Sequence, residues 1–205
     1  MILKKAIFQT SIANPERLPR DGLPEIAVVG KSNVGKSSFI NYLTGNSRLA
    51  KTSKEPGRTR LINFFICNDI FALVDLPGYG FARVSDAEKK RWASLIEGYF
   101  RLSMSLTHVF LLIDIRRDPS DDDKVMINYL YHYHIPFTLI ITKSDKIGKT
   151  LRQRRAKEIA NQLSLGVDNL VMVSSKEFIG REEVLNVIEG VLENAKAHQD
   201  GSNLS

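Results

Sequence analysis

Six short apolar runs punctuate the chain, at Ile26–Val29, Leu61–Cys67, Ile70–Val74, Thr107–Asp114, Phe137–Thr142 and Leu170–Val173. Several are unbroken Val, Ile, Leu and Phe, as in strands covered on both faces. Helix-period segments lie between them. Ser85 and Glu88 make a capping box ahead of Trp92, Leu95, Ile96, Tyr99 and Phe100. A second helix follows Ser120, with Met126, Tyr129, Leu130 and Tyr133 on one face, and stops before Pro136. A third carries Ala156, Ile159, Ala160 and Leu163, and a fourth Val184, Val187, Ile188, Val191 and Leu192; one more begins near Lys36.

Strands alternating with helices predict an α/β, doubly wound sheet with right-handed crossovers. Only Asn68 and Asp69 separate two of the runs, a spacing that forces an antiparallel hairpin. The expectation is therefore a mixed, mainly parallel six-stranded sheet with helices on both faces. One domain would cover 25–196, behind an irregular leader over 1–24 that packs on it and ahead of a loose tail over 197–205. Ligands belong at the carboxyl ends of the parallel strands.

At 205 residues the chain can bury a full core without staples, and a single cysteine, Cys67, excludes a disulfide framework. The two N-terminal lysines lead into Gln9, Thr10, Ser11 and Asn14 rather than an apolar signal core. No apolar run is long enough to span a bilayer, so no membrane insertion is expected and the cytoplasm is the expected compartment. A net charge of +6 attracts polyanions.

The run Gly30-Lys31-Ser32-Asn33-Val34-Gly35-Lys36-Ser37 fits G-x-x-x-x-G-K-[ST], followed by Ser38. Such a loop curls so that successive backbone N–H groups face phosphate oxygens. Lys36 would reach the terminal phosphates and the Ser37 hydroxyl would ligate Mg²⁺. The helix that follows adds its positive end.

Asp75-Leu76-Pro77-Gly78 closes another buried strand. There Asp75 can hold a water on Mg²⁺, and Gly78 lets a backbone N–H approach the γ-phosphate. Thr142-Lys143-Ser144-Asp145 follows a third strand. The Asp145 carboxylate matches the N1–H and N2–H₂ donors of guanine, and adenine has no such pair. The stem of Lys143 can lie along the base plane. Ser174-Ser175-Lys176, after the last strand, would complete the base pocket with a backbone N–H on guanine O6. For a switching hydroxyl on Mg²⁺, Thr59 is the first candidate and Thr52 the second.

The order of these motifs resembles the translation-factor-related GTPases. More narrowly, "LPEIAVVGKSNVGKSSFIN", "PGRTRLINFF", "VDLPGYGFARV" and "DIRRDPSDDD" resemble the EngB family, also called YsxC or YihA, over about residues 5 to 195. That resemblance implies a Ras-like domain and a slow GTP-hydrolysing switch, associated with assembly of the large ribosomal subunit and with normal septation. It implies GTP or GDP with Mg²⁺ as ligands, ribosomal RNA and ribosomal proteins as partners, and a monomer. Carried over by motif, Gly57, Arg58, Thr59, Arg60 and Leu61 form switch I, Asp75 to Gly78 start switch II, Thr142 to Asp145 read guanine, Val173, Ser174 and Ser175 close the pocket, and Ser37, Thr59 and Asp75 serve the metal.

Two departures from the general GTPase pattern matter. Tyr79 follows Gly78 where many GTPases place a water-orienting glutamine, so unaided hydrolysis should be slow. Thr142 stands in place of the usual asparagine. Asn33 has two readings: in related GTPases an asparagine here helps hold K⁺ beside the phosphates, and asparagine also tolerates left-handed dihedrals. Elsewhere, Arg58, Arg60, Arg83 and the run Arg152, Arg154, Arg155 and Lys157 read as solvated charge or RNA contacts. The four histidines, His108, His132, His134 and His198, lack metal-ligand spacing.

Overall fold

The computed structural model describes residues 1–51, 61–80 and 85–202. Its strands are β1 (Ala6–Ile12), β2 (Glu25–Gly30), β3 (Ile62–Cys67), β4 (Phe71–Asp75), β5 (Leu106–Asp114), β6 (Phe137–Thr142) and β7 (Leu170–Met172). The helices are α1 (Lys36–Thr44), α2 (Asp86–Leu102), α3 (Asp121–His132), α4 (Lys149–Gln162) and α5 (Arg181–Ser202). All seven strands join one sheet in the order β1-β3-β4-β2-β5-β6-β7. Pairing is parallel from β4 through β7 and antiparallel for β1 with β3 and β3 with β4.

The sheet thus has one strand more than the apolar runs suggested. The leader is not irregular: Ala6–Ile12 pairs along β3 from Ala6↔Cys67 to Ile12↔Ile62, with a bulge between Phe8 and Thr10. An edge strand needs a partner on one side only, so its polar Gln9, Thr10 and Ser11 are tolerated and hide it from an apolar search. At the other end α5 continues to Ser202, through most of the stretch expected as a tail.

Between β3 and β4, Asn68 (φ 49°) and Asp69 (φ 59°) both take left-handed dihedrals, as a type I′ hairpin requires. On one face of the sheet, Leu95, Ile96, Tyr99 and Phe100 of α2, Met126, Ile127 and Leu130 of α3, Ala156 and Ile159 of α4 and Leu163 just past its end share a core. On the other, Phe39, Ile40 and Leu43 of α1 pack with Val184, Leu185, Ile188 and Leu192 of α5. Helices therefore cover both faces, and β2, buried throughout, lies between its parallel partners β4 and β5.

His108 on β5 is buried, with Nε2 3.0 Å from the Thr138 hydroxyl. Burial lowers its pKa from 6.5 to about 4. Between those values the unfolded chain takes up a proton that the folded chain refuses, so this contribution to stability is complete above pH 6.5 and is lost as pH falls toward 4. His108→Gln should remove that segment of the pH dependence, at most about 3 kcal/mol, in thermal or urea unfolding followed from pH 7 to 4.

Candidate nucleotide-binding site

The carboxyl ends of β2, β4, β5 and β6 meet at one edge of the sheet, and each is followed by chemistry-bearing residues. The phosphate loop springs from Gly30 at the end of β2 and enters α1 at Lys36. Gly35 has φ 106°, a conformation that strains any side chain, and it caps a helix whose first turn has no acidic residue to repel phosphate. Asn33 is left-handed too, at φ 63°, with its side chain exposed. Val34 donates its N–H to Lys31 O and buries its side chain, so it shapes the loop from inside. The N–H groups of Asn33, Gly35, Lys36, Ser37 and Ser38 have no acceptor among the described residues, the condition for an anion cradle.

The segment after β4, expected to start switch II, is zipped to this loop. Ser32 N–H donates to Tyr79 O at 2.8 Å, and Tyr79 N–H reaches Gly30 O at 3.4 Å. A Cβ at Gly78 would stand 3.2 Å from Gly30 O and 3.4 Å from Ser32 N, so the glycine permits the crossing. Leu76 is core, its N–H bound to Val28 O, and Pro77 O accepts from Trp92 Nε1 at 2.9 Å. Tyr79 is buried against Trp92 with its hydroxyl 2.6 Å from Asp123 of α3. That anchor holds Tyr79 in the core, away from any role in orienting water.

Lys36 Nζ pairs directly with the Asp75 carboxylate, whose other oxygen accepts from Asn63 Nδ2 at 3.4 Å. The buried Asp75 carboxylate, with the Ser37 hydroxyl on the residue after its Lys36 partner, offers the hard oxygens that suit Mg²⁺ once phosphate oxygens and water complete the set. Of the residues expected to form switch I, Leu61 is exposed just ahead of β3. Gly57, Arg58, Thr59 and Arg60 lie outside the described residues, as do Thr52 and Arg83.

The base motif is tied to the phosphate loop twice. The Thr142 hydroxyl donates to Val34 O at 2.8 Å and lies 3.2 Å from Ile113 O, which gives the threonine a tethering role. Lys143, itself at φ 58°, stretches its ammonium to Asn33 O at 2.6 Å and to Asp114 Oδ2 at 2.8 Å. Burial would lift the Asp114 carboxyl, but Arg116 and Lys143 together hold it well below the usual carboxylate range. Asp114 went unremarked in the sequence; its signal was an acid ending a buried strand at the same edge as Asp75.

Asp145, the expected acceptor for the base, follows Ser144 beyond β6. Burial acts to raise its pKa, and the Ser174 hydroxyl at 2.8 Å and Lys146 at 3.3 Å outweigh burial and keep it ionised. Ser144 is buried beneath it, donating its N–H to Val173 O. Val173 and Ser174 donate their own N–H groups to Ile141 O and Ile179 O. Among the described residues, Ser175 N–H is the one of these three left to meet a base, while its hydroxyl lies 3.4 Å from Ser38 O.

A glycine-bearing loop at a strand end, tied through Thr142 and Lys143 to the segment that ends in Asp145, is the arrangement of the P-loop GTPases. Residues 25–143 match the family described as 50S ribosome-binding GTPase. The EngB GTP-binding protein of Caldanaerobacter subterraneus is 44% identical over 193 residues, 94% of this chain and 100% of that protein. Its counterpart in Geobacillus thermodenitrificans is 44% identical over 184 residues, 89% of this chain and 94% of the relative. A crystal structure of an EngB protein shares the fold with a TM-score of 0.69 at 24% identity, covering 83% of this chain and 99% of that one. Era bound to MgGDPNP and a segment of 16S ribosomal RNA shares it at 0.59 and 21%, covering 81% and 55%. The chain belongs to the EngB family of GTP-binding proteins.

Thr142→Val would strip the hydroxyl from between two buried carbonyls, a cost of about 1–3 kcal/mol. Because it also cuts a tether between base motif and loop, the expected result is weaker GDP binding by calorimetry along with a lower unfolding midpoint.

Proposed function

We propose that this protein is a Mg²⁺-dependent GTPase, slow on its own, that works as a nucleotide switch in assembly of the large ribosomal subunit. The ionised Asp145 carboxylate carries the choice of guanine: it faces the base side of a cradle to which Lys143 is bound. Asp145→Ala should lose most GDP affinity and leave the weak ADP affinity unchanged in calorimetric titration. Equal binding of GDP and ADP by the unaltered protein would overturn the reading.

In this reading Lys36 leaves Asp75 for the terminal phosphates, and the loop N–H groups neutralise the oxygens they face. Ser37, Asp75 and Thr59 would hold Mg²⁺, which supplies a positive charge that offsets the charge developing on the transferred group. Gly78 offers its N–H to the γ-phosphate. With Tyr79 in the core, the position after Gly78 provides no side chain to orient water, which supports slow hydrolysis. The exposed Asn33 side chain at the loop is suited to a K⁺ that substitutes for an arginine finger. Steady-state hydrolysis should then be faster in KCl than in NaCl, and equal rates would remove the K⁺.

The proposed partner is the large subunit or its precursor, through ribosomal RNA and proteins, met by a monomer in the cytoplasm. No described helix is long and apolar enough to cross a membrane. The outer face of α4 and the turn before it expose Lys146, Lys149, Gln153, Arg154 and Lys157. Arg154 is paired with Glu158 at 2.9 Å, whereas Lys149 and Lys157 have no carboxylate partner among the described residues. Such a face suits RNA phosphate. Sedimentation with large subunits should depend on a GTP analogue and weaken with salt. The link to septation and normal cell division follows from the family resemblance. The buried Tyr79 also favours a second reading, a nucleotide-gated septation module in which hydrolysis is incidental; there, subunit association would be absent in every nucleotide state.

A further inference from the structure

Ser11, Asn63 and Asp75 stand directly opposite one another on β1, β3 and β4, so their side chains form a polar row across one face of the sheet. The row runs from the outer edge strand to the phosphate loop, where Asp75 meets Lys36. Its chemistry has one consistent direction. A carboxylate only accepts, so the Asn63 amide must turn Nδ2 toward Asp75 Oδ2, and the two lie 3.4 Å apart. That leaves Asn63 Oδ1 facing outward, and the Ser11 hydroxyl donates to it at 2.6 Å.

We infer that Asn63, held by Ser11, is a positioning residue for Asp75 and sets how tightly the nucleotide site takes Mg²⁺. The inference rests on the GTPase reading above and deepens it. Asp75 has two oxygens with different partners. When Lys36 turns to phosphate, the Asn63 amide keeps its grip on Oδ2 and leaves Oδ1 pointed at the loop. Without the amide the carboxylate can rotate about its own bond, and an unaimed carboxylate orients a metal-bound water poorly. Asn63 also lies two residues beyond Leu61, the end of the proposed switch I, so the same side chain reports the position of that segment's exit. Ser11 contributes from a part of the chain that no nucleotide motif includes.

The test is release of a fluorescent GDP analogue from the full chain, measured against Mg²⁺ concentration and in EDTA. Asn63→Leu should need about 10-fold more Mg²⁺ for the same slowing of release, the low end of the scale for losing an outer-shell hydrogen bond at a metal site. Its release rate in EDTA and its unfolding midpoint should stay close to those of the unaltered protein. Asn63→Thr, which suits a strand and cannot reach Asp75, should behave alike and serves if the leucine variant does not fold. Ser11→Ala should shift the Mg²⁺ response less and in the same direction, and Ser11→Thr, which keeps the hydroxyl, should restore it. A purely structural role would lower the unfolding midpoint and raise the EDTA rate without moving the Mg²⁺ midpoint. That outcome, or Asn63 variants that titrate like the unaltered protein, overturns the inference alone. If the unaltered protein releases GDP at one rate whatever the Mg²⁺, the GTPase reading itself fails and takes the inference with it.

Discussion

Everything at the site depends on β2 being hydrogen-bonded in parallel on both sides. Parallel pairing to β4 and β5 points three carboxyl ends the same way, and Gly30, Asp75 and Asp114 are what those ends present. The approach is close: a Cβ on Gly30 would lie 2.9 Å from Leu112 O on β5. A strand buried on both faces and bonded on both edges has little freedom, so the loop that leaves it starts from a fixed position. The anion cradle is therefore built before any ligand arrives, which limits the ordering cost of binding.

Local pattern made much of the site legible. The phosphate loop, the Asp75 to Gly78 segment and the Thr142 to Asp145 segment are each contiguous, and each follows a run of apolar residues long enough to announce a buried strand. Long-range partners stayed hidden. Lys143 meets Asn33 across 110 positions and Ser11 meets Asn63 across 52, and no spacing rule joins such residues. β1 was missed because an edge strand with one covered side can be written largely in polar letters. α5 ran past the expected boundary because its apolar face ends near Leu192 while the helix continues.

The tethers explain how so short a base motif can act on a distant loop. Lys143 is charged, and it reaches Asn33 O and a carboxylate that Arg116 also holds, so the base side and the phosphate side move as one body. Thr142 reinforces the join with a neutral hydrogen bond to Val34 O. An asparagine could do the same with its amide; the shorter threonine succeeds because the loop carbonyl lies within 2.8 Å of its hydroxyl. Tyr79 supplies the third anchor, clamping the far side of the loop to α3.

The Lys36 and Asp75 pair has a consequence for what the loop ignores. A bare lysine in a ring of N–H donors would attract any small anion in the cell. Here the ammonium is already matched by a carboxylate in contact with it, so a lone monovalent anion gains nothing by displacing one negative charge with another. A polyphosphate that arrives with its own metal offers more: it satisfies the lysine several times over and gives the released carboxylate a cation to serve. In the proposed site the internal pair would thus favour a multiply charged guest over a lone monovalent anion.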